Sequence, residues 1–468
     1  MKMPSEKKQE MKQEILQILK KWNQPELNEQ WGLLDYSGRL IFQKDLKSLN
    51  PEILAKIFQN FQNQRHFSVE NRKSLRKIQP LGNDCLQLET DHIFHRSQLA
   101  ENFISSGKAA IVILAGGMGS RLGHPAPKGT FPTAPVSKKS LFQLHFEKIK
   151  CLREHYGAPI RIYVMTNSSS HDLTLAYFQE NNFFGIPEND IFFFIQNEIP
   201  VLNPLNGSFF FSPNGQICFG PDGHGGLITA LENSGAGEDM KKHGIETLNT
   251  FHVDNPLVPV LNEQFVDAHL TQKSEMSTIA IEKKDPLELV GHIVRKSDNH
   301  QTLQIVEYLD FPADYAQETD ETGQLKFWAG SIGIHLIQLD FLEKMARKLH
   351  ENPDFLPYHL PVKQIRTQNG LEWGIKPERF IFDILPFAQN ALICRAKRDD
   401  IFATLKTNSI PVRRHLSDLH ASWLRRAGIL FPANSQVEIA PNFAMDFKTL
   451  QEKIPAGTTL NGPDIFLN

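Results

Sequence analysis

Cysteine is scarce in this chain. Its four copies, Cys85, Cys151, Cys218 and Cys394, are spread across 468 residues and form no C-x-x-C pair. That scarcity argues against a disulfide scaffold and a thiolate zinc site, and reduced, mostly buried thiols are the expectation. No apolar run approaches membrane-spanning length. No secretory apolar segment follows Met1, where Lys, Glu and Gln dominate, so a cytoplasmic location and no membrane partner are expected. An excess of one charge is also missing: 50 Lys and Arg stand against 53 Asp and Glu. No global field would recruit nucleic acid, and positive charge must act locally. Neither internal repeats nor low-complexity segments occur. The apolar fraction of 40% and the charged fraction of 22% are ordinary for a globular chain, and the length implies two or three domains.

The first hundred residues read as helical. Ile15, Leu16, Leu19 and Trp22 share one helical face, and Asn50-Pro51-Glu52 supplies an N-cap, a first-turn proline and a first-turn acid. Ile53, Leu54, Ile57, Phe58 and Phe61 continue a second stripe, which is packing surface. From about Ala109 the pattern changes. Strand-like runs at 109–115, 160–166, 190–196 and 248–254 alternate with stretches such as Ser140 to Tyr156, the mark of a buried, mainly parallel sheet. Pro213-Asn214-Gly215, between two apolar runs, signals a hairpin. Strands are expected again over 279–282 and 303–308, a helix over 413–426, and short β elements over 437–468.

One segment carries most of the functional information, IVILAGGMGSRLGHPAPKGTFPT from Ile111 to Thr133. A strand-like run empties into Gly116, Gly117 and Gly119, followed by Arg121, Gly123 and Lys128-Gly129. Glycines let backbone N–H groups close on phosphate oxygens. Arg121 adds a planar fork and Lys128 a mobile point charge, both suited to a polyphosphate. A dinucleotide fingerprint starting at Gly117 fails because position 122 is Leu122. A Walker A loop fails because Gly123 is followed by His124 and Pro125. A plain glycine-rich turn would not need both cations, so the loop reads as a triphosphate grip beyond the first strand of the sheet.

LAGGMGSRLG followed by PKG resembles the L-x-G-G-x-G-[ST]-R-L-G…P-K-G element of the eukaryotic-type UDP-N-acetylhexosamine pyrophosphorylases, within the wider UTP:sugar-1-phosphate uridylyltransferase family. The resemblance extends from about Gly107 to the C-terminus. It implies that Leu114, Ala115, Gly116 and Gly117 contact the nucleotide and that Arg121 and Lys128 are catalytic. Gln196, ending DIFFFIQ, resembles the family's uracil-reading glutamine, an amide that donates and accepts at once. Gly220 to Gly226 resembles the P-D-G-N-G-G loop, implying substrate contact at Gly223 and His224, with His224 in place of asparagine. Val253-Asp254-Asn255 resembles V-D-N, which makes Asp254 a substrate contact and the Mg²⁺ ligand, a hard oxygen donor at a strand end. Gly291 and Glu307 resemble residues that border the sugar, and a carboxylate can accept from two hydroxyls. Ser331 stands where the family has the asparagine of A-G-N. Phe380 and Phe382 resemble aromatics beside the sugar, and Lys406 resembles the lysine of F-S-P-L-K-N that reaches the phosphates.

The reaction so implied is UTP plus a sugar 1-phosphate giving a UDP-sugar and pyrophosphate. The sugar phosphate is already a nucleophile, so positioning and charge neutralisation suffice, and no nucleophile constellation is needed. The implied fold is a glycosyltransferase-A-like, Rossmann-type α/β core. An N-terminal helical region (1–105) precedes the nucleotidyltransferase core (106–395), and a C-terminal region (396–468) follows it. Motif order favours N-acetylglucosamine 1-phosphate as acceptor. His224 and Ser331 keep glucose 1-phosphate or broad specificity as the runner-up, and a catalytically silent UDP-sugar binding protein is the alternative class. Oligomeric state is left open.

Overall fold

A computed structural model describes residues 17–22, 24–66, 77–82, 85–94, 97–297 and 301–468. Contacts divide the chain into two compact units. The larger takes its described residues from Ser74–Gln196, Leu227–Arg347 and Ile381–Asn468. The smaller takes them from Met1–Lys73, Asn197–Gly226 and Lys348–Phe380.

In the larger unit eight strands form the main path of a sheet: β1 Leu86–Leu88, β2 Ala109–Leu114, β3 Arg161–Thr166, β4 Ile191–Ile195, β5 Thr247–His252, β6 Met276–Glu282, β7 Ala329–Gln338 and β8 Leu392–Ala396. Their order is β1-β8-β6-β7-β5-β2-β3-β4. Only β7 runs antiparallel to its neighbours β5 and β6; the other pairs are parallel. Strands Ile78–Pro80, Gly291–Lys296 and Leu303–Val306 join this sheet as an antiparallel branch beside β7. The unit is thus a mixed α/β fold around a large, mainly parallel sheet.

The reasons are local. Every residue of β2, AAIVIL, is buried, as a strand covered on both faces requires. The helix Leu141–Tyr156 starts where Ser140 Oγ accepts from Gln143 N (3.1 Å) and ends on Gly157 at φ 61°, a left-handed cap. Phe142, Phe146, Ile149 and Leu152 line its buried face and join the core. The tail holds the parallel pair Gln436–Ile439 and Asp464–Leu467, but also a helix, Phe447–Lys453, where only β elements were expected. Asp446 caps that helix through Thr449 N (2.7 Å).

In the smaller unit, helices Pro25–Leu33, Tyr36–Ser48 and Pro51–His66 pack with the two later segments. Asn50 Oδ1 accepts from Glu52 N (2.9 Å), as the Asn-Pro-Glu signal predicts. Leu19, Trp22, Leu27, Phe42 and Ile57 share one core with Leu202, Phe209, Phe211 and Ile375. Ile15 and Leu16 lie outside the described residues. The turn at Pro213–Gly215 forms, with Gly215 at φ 79° and its N–H on Ser212 O (2.8 Å). The hairpin Val362–Thr367 and Gly370–Ile375 completes the unit. Among the described residues no helix is long and apolar enough to cross a membrane.

Candidate active site

The site residues of the larger unit gather beyond the C-terminal ends of parallel strands. Leu114 ends β2, and Ala115 N still donates to Met165 O of β3 (2.8 Å). The glycine loop then folds back on itself, with Gly119 N on Ala126 O (2.9 Å) and Lys128 N on Gly117 O (2.9 Å). Arg121 sits on the short turn Ser120–Leu122, exposed to solvent. Gln196 follows β4, buried, its N–H on Thr166 O (2.9 Å). A Cβ on Gly116 would come within 2.7 Å of Gln196 Oε1, so any other residue here would push the amide aside. Asn167 Nδ2 donates to Gly116 O (2.5 Å) and fixes the same stretch from β3.

Asp254 follows β5 and meets Lys128 in an ion pair of 3.1 Å, with about a fifth of each side chain exposed. Leu405 N donates to the Asp254 carbonyl (2.8 Å), which brings Lys406 to the same place. Lys406 is exposed, with Nζ on Leu289 O at 3.3 Å. Behind this group the helix Leu141–Tyr156 contributes two polar side chains. Lys148 Nζ donates to Pro256 O (2.6 Å) and Val258 O (3.2 Å), and His145 Nε2 lies 3.0 Å from Val253 O. Burial lowers the Lys148 ammonium to about 7 and the His145 imidazole to about 3. Both therefore brace the backbone on either side of Asp254. His252 has its pKa lowered by burial, while the Asp254 carboxylate opposes that shift and the Lys128 and Lys406 charges add to it.

Gly291, Glu307 and Ser331 form a second group. Gly291 is opposite Ser331 in the antiparallel register, and a Cβ on Gly291 would lie 3.7 Å from Glu307 Oε2. The Ser331 hydroxyl is buried without a hydrogen-bond partner among the described residues, an orphan group that invites a ligand. Arg121 carries its charge toward this group, since it opposes the upward shift of the Tyr308 phenol, next to Glu307, which burial causes first. On the other face of the same strand His292 stacks on Phe311 (3.7 Å) and meets Lys283 Nζ at 2.5 Å. Burial, then the Lys283 charge, pushes His292 down to about 3. Phe382 is buried in the turn Ile381–Phe387.

The remaining three, Gly223, His224 and Phe380, belong to the smaller unit and come together there. His224 stacks on Phe380 at 4.9 Å and 10°, and His359 stacks on the same ring at 4.1 Å and 23°. Gly223, at φ +86°, leaves no room for a side chain: its Cβ would be 2.3 Å from Arg379 O. Gly225 N donates to that carbonyl (2.8 Å), and Arg379 N donates to Asp222 O (2.7 Å). The Arg379 guanidinium is buried over the Tyr358 ring (4.0 Å) and donates to Pro353 O (2.5 Å).

Asn167, Lys148, His145, Arg379 and His359 are absent from the sequence reading. Nothing local distinguishes Lys148 from a surface lysine of an amphipathic helix, and the partners of His359 and Arg379 are remote in sequence. Among the described residues no three His, Cys, Asp or Glu side chains cluster as a metal cage. A single carboxylate, Asp254, offers an oxygen, Oδ1, not engaged by Lys128. That donor set fits Mg²⁺, which takes one or two carboxylates and fills its shell from phosphate and water.

A family model described as UTP–glucose-1-phosphate uridylyltransferase matches residues 55–444. The chain is 31% identical to UDP-N-acetylglucosamine diphosphorylase 1 of Arabidopsis thaliana, over 77% of this chain and 75% of that protein. It is 29% identical to UDP-N-acetylglucosamine pyrophosphorylase of Saccharomyces cerevisiae, over 85% and 88% respectively. The crystal structure of the uridine diphosphate N-acetylglucosamine pyrophosphorylase of Trypanosoma brucei shares the fold, with a TM-score of 0.80 over 97% of each chain at 24% identity.

Proposed function

The chain belongs to the UTP–glucose-1-phosphate uridylyltransferase family, and we propose that it works as a UTP:N-acetylglucosamine-1-phosphate uridylyltransferase, releasing pyrophosphate as it forms UDP-N-acetylglucosamine. The observation that carries the reading is the placement of Lys128, Asp254 and Lys406 together, next to a self-closed glycine loop at the C-terminal ends of parallel strands. We place the core in the glycosyltransferase-A-like, Rossmann-type class, within the 106–395 region.

Arg121 and Lys128 hold the triphosphate, and Lys406 adds a third positive charge. A phosphate oxygen of the sugar 1-phosphate attacks the α-phosphorus, the α–β phosphoanhydride bond breaks, and pyrophosphate departs with the bonding pair. The dianionic nucleophile needs no base, so the task of these residues is alignment and neutralisation of developing charge. Gln196 reads the uracil edge. Its amide lies beside Gly116, which puts base recognition next to the loop that holds the phosphates. Asp254 holds Mg²⁺, which when bound supplies further neutralisation of the phosphates. Glu307 and the orphan Ser331 hydroxyl take sugar hydroxyls or the acetamido group, with Gly291 leaving them room. His224, ordered against Phe380, occupies the position that decides the acceptor.

Pyrophosphate release from UTP and Mg²⁺, assayed in parallel with the 1-phosphates of N-acetylglucosamine, N-acetylgalactosamine, glucose and galactose, tests the reading. Release with N-acetylglucosamine 1-phosphate at the highest kcat/KM is expected. Release chiefly with glucose 1-phosphate would mean that His224 and Ser331 reset the pocket. Release with none would leave a UDP-sugar binding protein.

A further inference from the structure

We propose that a cavity of about 500 Å³ at the start of the helix Ile410–Arg426 is a second anion site, which takes a small phosphate-bearing ligand. Lys138, Arg413 and Arg414 line it, and Asp418 is the one carboxylate among the lining residues. None of the site residues discussed above lines it.

Three features make it more than a patch of surface charge. Lys138, Arg413 and Arg414 have no carboxylate partner among the described residues. Lys138 Nζ donates to Pro135 O, and Arg413 Nη2 donates to Pro132 O (2.5 Å). The Arg413 Nε is buried with no partner among the described residues, a donor left unfilled on a residue that lines the cavity. The wall that carries Lys138 is held in shape by the buried Glu438, whose carboxylate accepts from Val136 N (2.8 Å), Ser137 N (2.7 Å) and Ser137 Oγ (2.5 Å). That grip holds the chain just ahead of Lys138, which sits at φ 61°, a left-handed conformation uncommon outside glycine. The other wall is one face of a 17-residue helix, which carries Arg413 and Arg414 together with Ser417 and Asp418. Two guanidinium groups and an ammonium lining one space match a dianionic phosphate in charge.

The site is wired to the glycine loop. Arg413 stands over the Phe131 ring (5.9 Å), and Phe131 N donates to Lys128 O (3.0 Å). A phosphate that draws the Arg413 guanidinium away from Pro132 O alters the segment that carries Lys128. This coupling, unlike the binding itself, rests on the proposed role of Lys128.

Calorimetric titration of the full chain with pyrophosphate tests the site, with inorganic phosphate and N-acetylglucosamine 1-phosphate as further probes to identify the ligand's source. Wild type is expected to bind two equivalents of pyrophosphate. Lys128→Ala should keep the cavity's equivalent, and the Lys138→Gln/Arg414→Gln double variant should bind it at least tenfold more weakly. The double variant should melt with wild type and turn over normally in the absence of added phosphate. Unchanged binding of both equivalents by the double variant would overturn the proposal, as would a single equivalent in wild type that Lys128→Ala abolishes. Two equivalents retained by Lys128→Ala and one lost by the double variant would uphold the cavity site and count against Lys128 as a phosphate ligand.

Discussion

A Cβ on Gly117 would find only Lys128 Cε, at 3.9 Å, whereas a Cβ on Gly223 would strike the Arg379 carbonyl at 2.3 Å. Both residues sit in glycine loops that look alike in sequence, LAGGMG and GPDGHGG. In the first loop, space beside Gly117 is left open for a ligand, and the flanking cations carry the chemistry. In the second, glycine makes room for the protein's own backbone. Gly223 and Gly225 are pressed against Arg379 and Phe380, and Gly226 against the Asp222 side chain. Glycine density therefore reports close approach, but not what approaches.

This contrast can be broken by mutation. The largest effect belongs to the open loop's side chains: Lys128→Ala, and separately Asp254→Ala, should lower kcat by about 10²–10³, the range seen when a preorganised transition-state donor is lost. Thermal melting should stay close to wild type, because the partly exposed pair contributes little to stability. Near-normal turnover in either variant would remove that residue from the site. Next, Gly223→Ala should cost about 2–4 kcal/mol, from overpacking against a backbone carbonyl and from a left-handed φ. Gly117→Ala should cost under ~0.5 kcal/mol while raising the KM for UTP. Urea unfolding of the two variants measures both, and equal losses would erase the distinction between the loops.

Acid sharpens the contrast between the two units. In the larger one, burial holds His335 and His145 near 3 and His269 near 4, below the ordinary 6.5. The unfolded chain takes up protons below 6.5 that these native imidazoles refuse, so stability falls as pH drops from about 6.5 toward 4. Each such histidine costs up to about 2 kcal/mol by pH 5. His335 is fully buried with neither ring nitrogen hydrogen-bonded among the described residues, so His335→Leu should recover most of its share at pH 5. Hydrogen exchange resolved by peptide should show the larger unit losing protection first; an unchanged pH slope in His335→Leu would refute the assignment. The smallest effect on turnover concerns the stack on Phe380. His224→Asn should cost about 0.5–1.5 kcal/mol of ring contact and shift kcat/KM a fewfold toward N-acetylated acceptors. No shift among the four sugar 1-phosphates would make His224 a structural residue.

Much of this was legible in the sequence because it is local. The β2 run, the Ser140 and Asn50 caps, the Pro213–Gly215 turn and the strand-end position of Asp254 all follow from short-range patterns. What escaped depends on long-range pairing. Lys148 acquires its meaning only from carbonyls more than a hundred residues away, at Pro256 and Val258. His359 meets Phe380 through a bridge in which His359 and Glu378 exchange backbone hydrogen bonds of 2.8 Å. The helix Phe447–Lys453 was hidden by the prolines and glycines around it.

The smaller unit also has a history to contend with during synthesis. Its first segment, which holds Leu27, Phe42 and Ile57, must wait for Ile375, more than three hundred residues later, before its core can close. At ordinary elongation rates that interval is on the order of tens of seconds. During it a ribosome-bound chain carries apolar helices whose core is still incomplete, which makes the nascent chain a client for chaperones. A product truncated before residue 348 would be prone to aggregate, whatever the state of its nucleotide site.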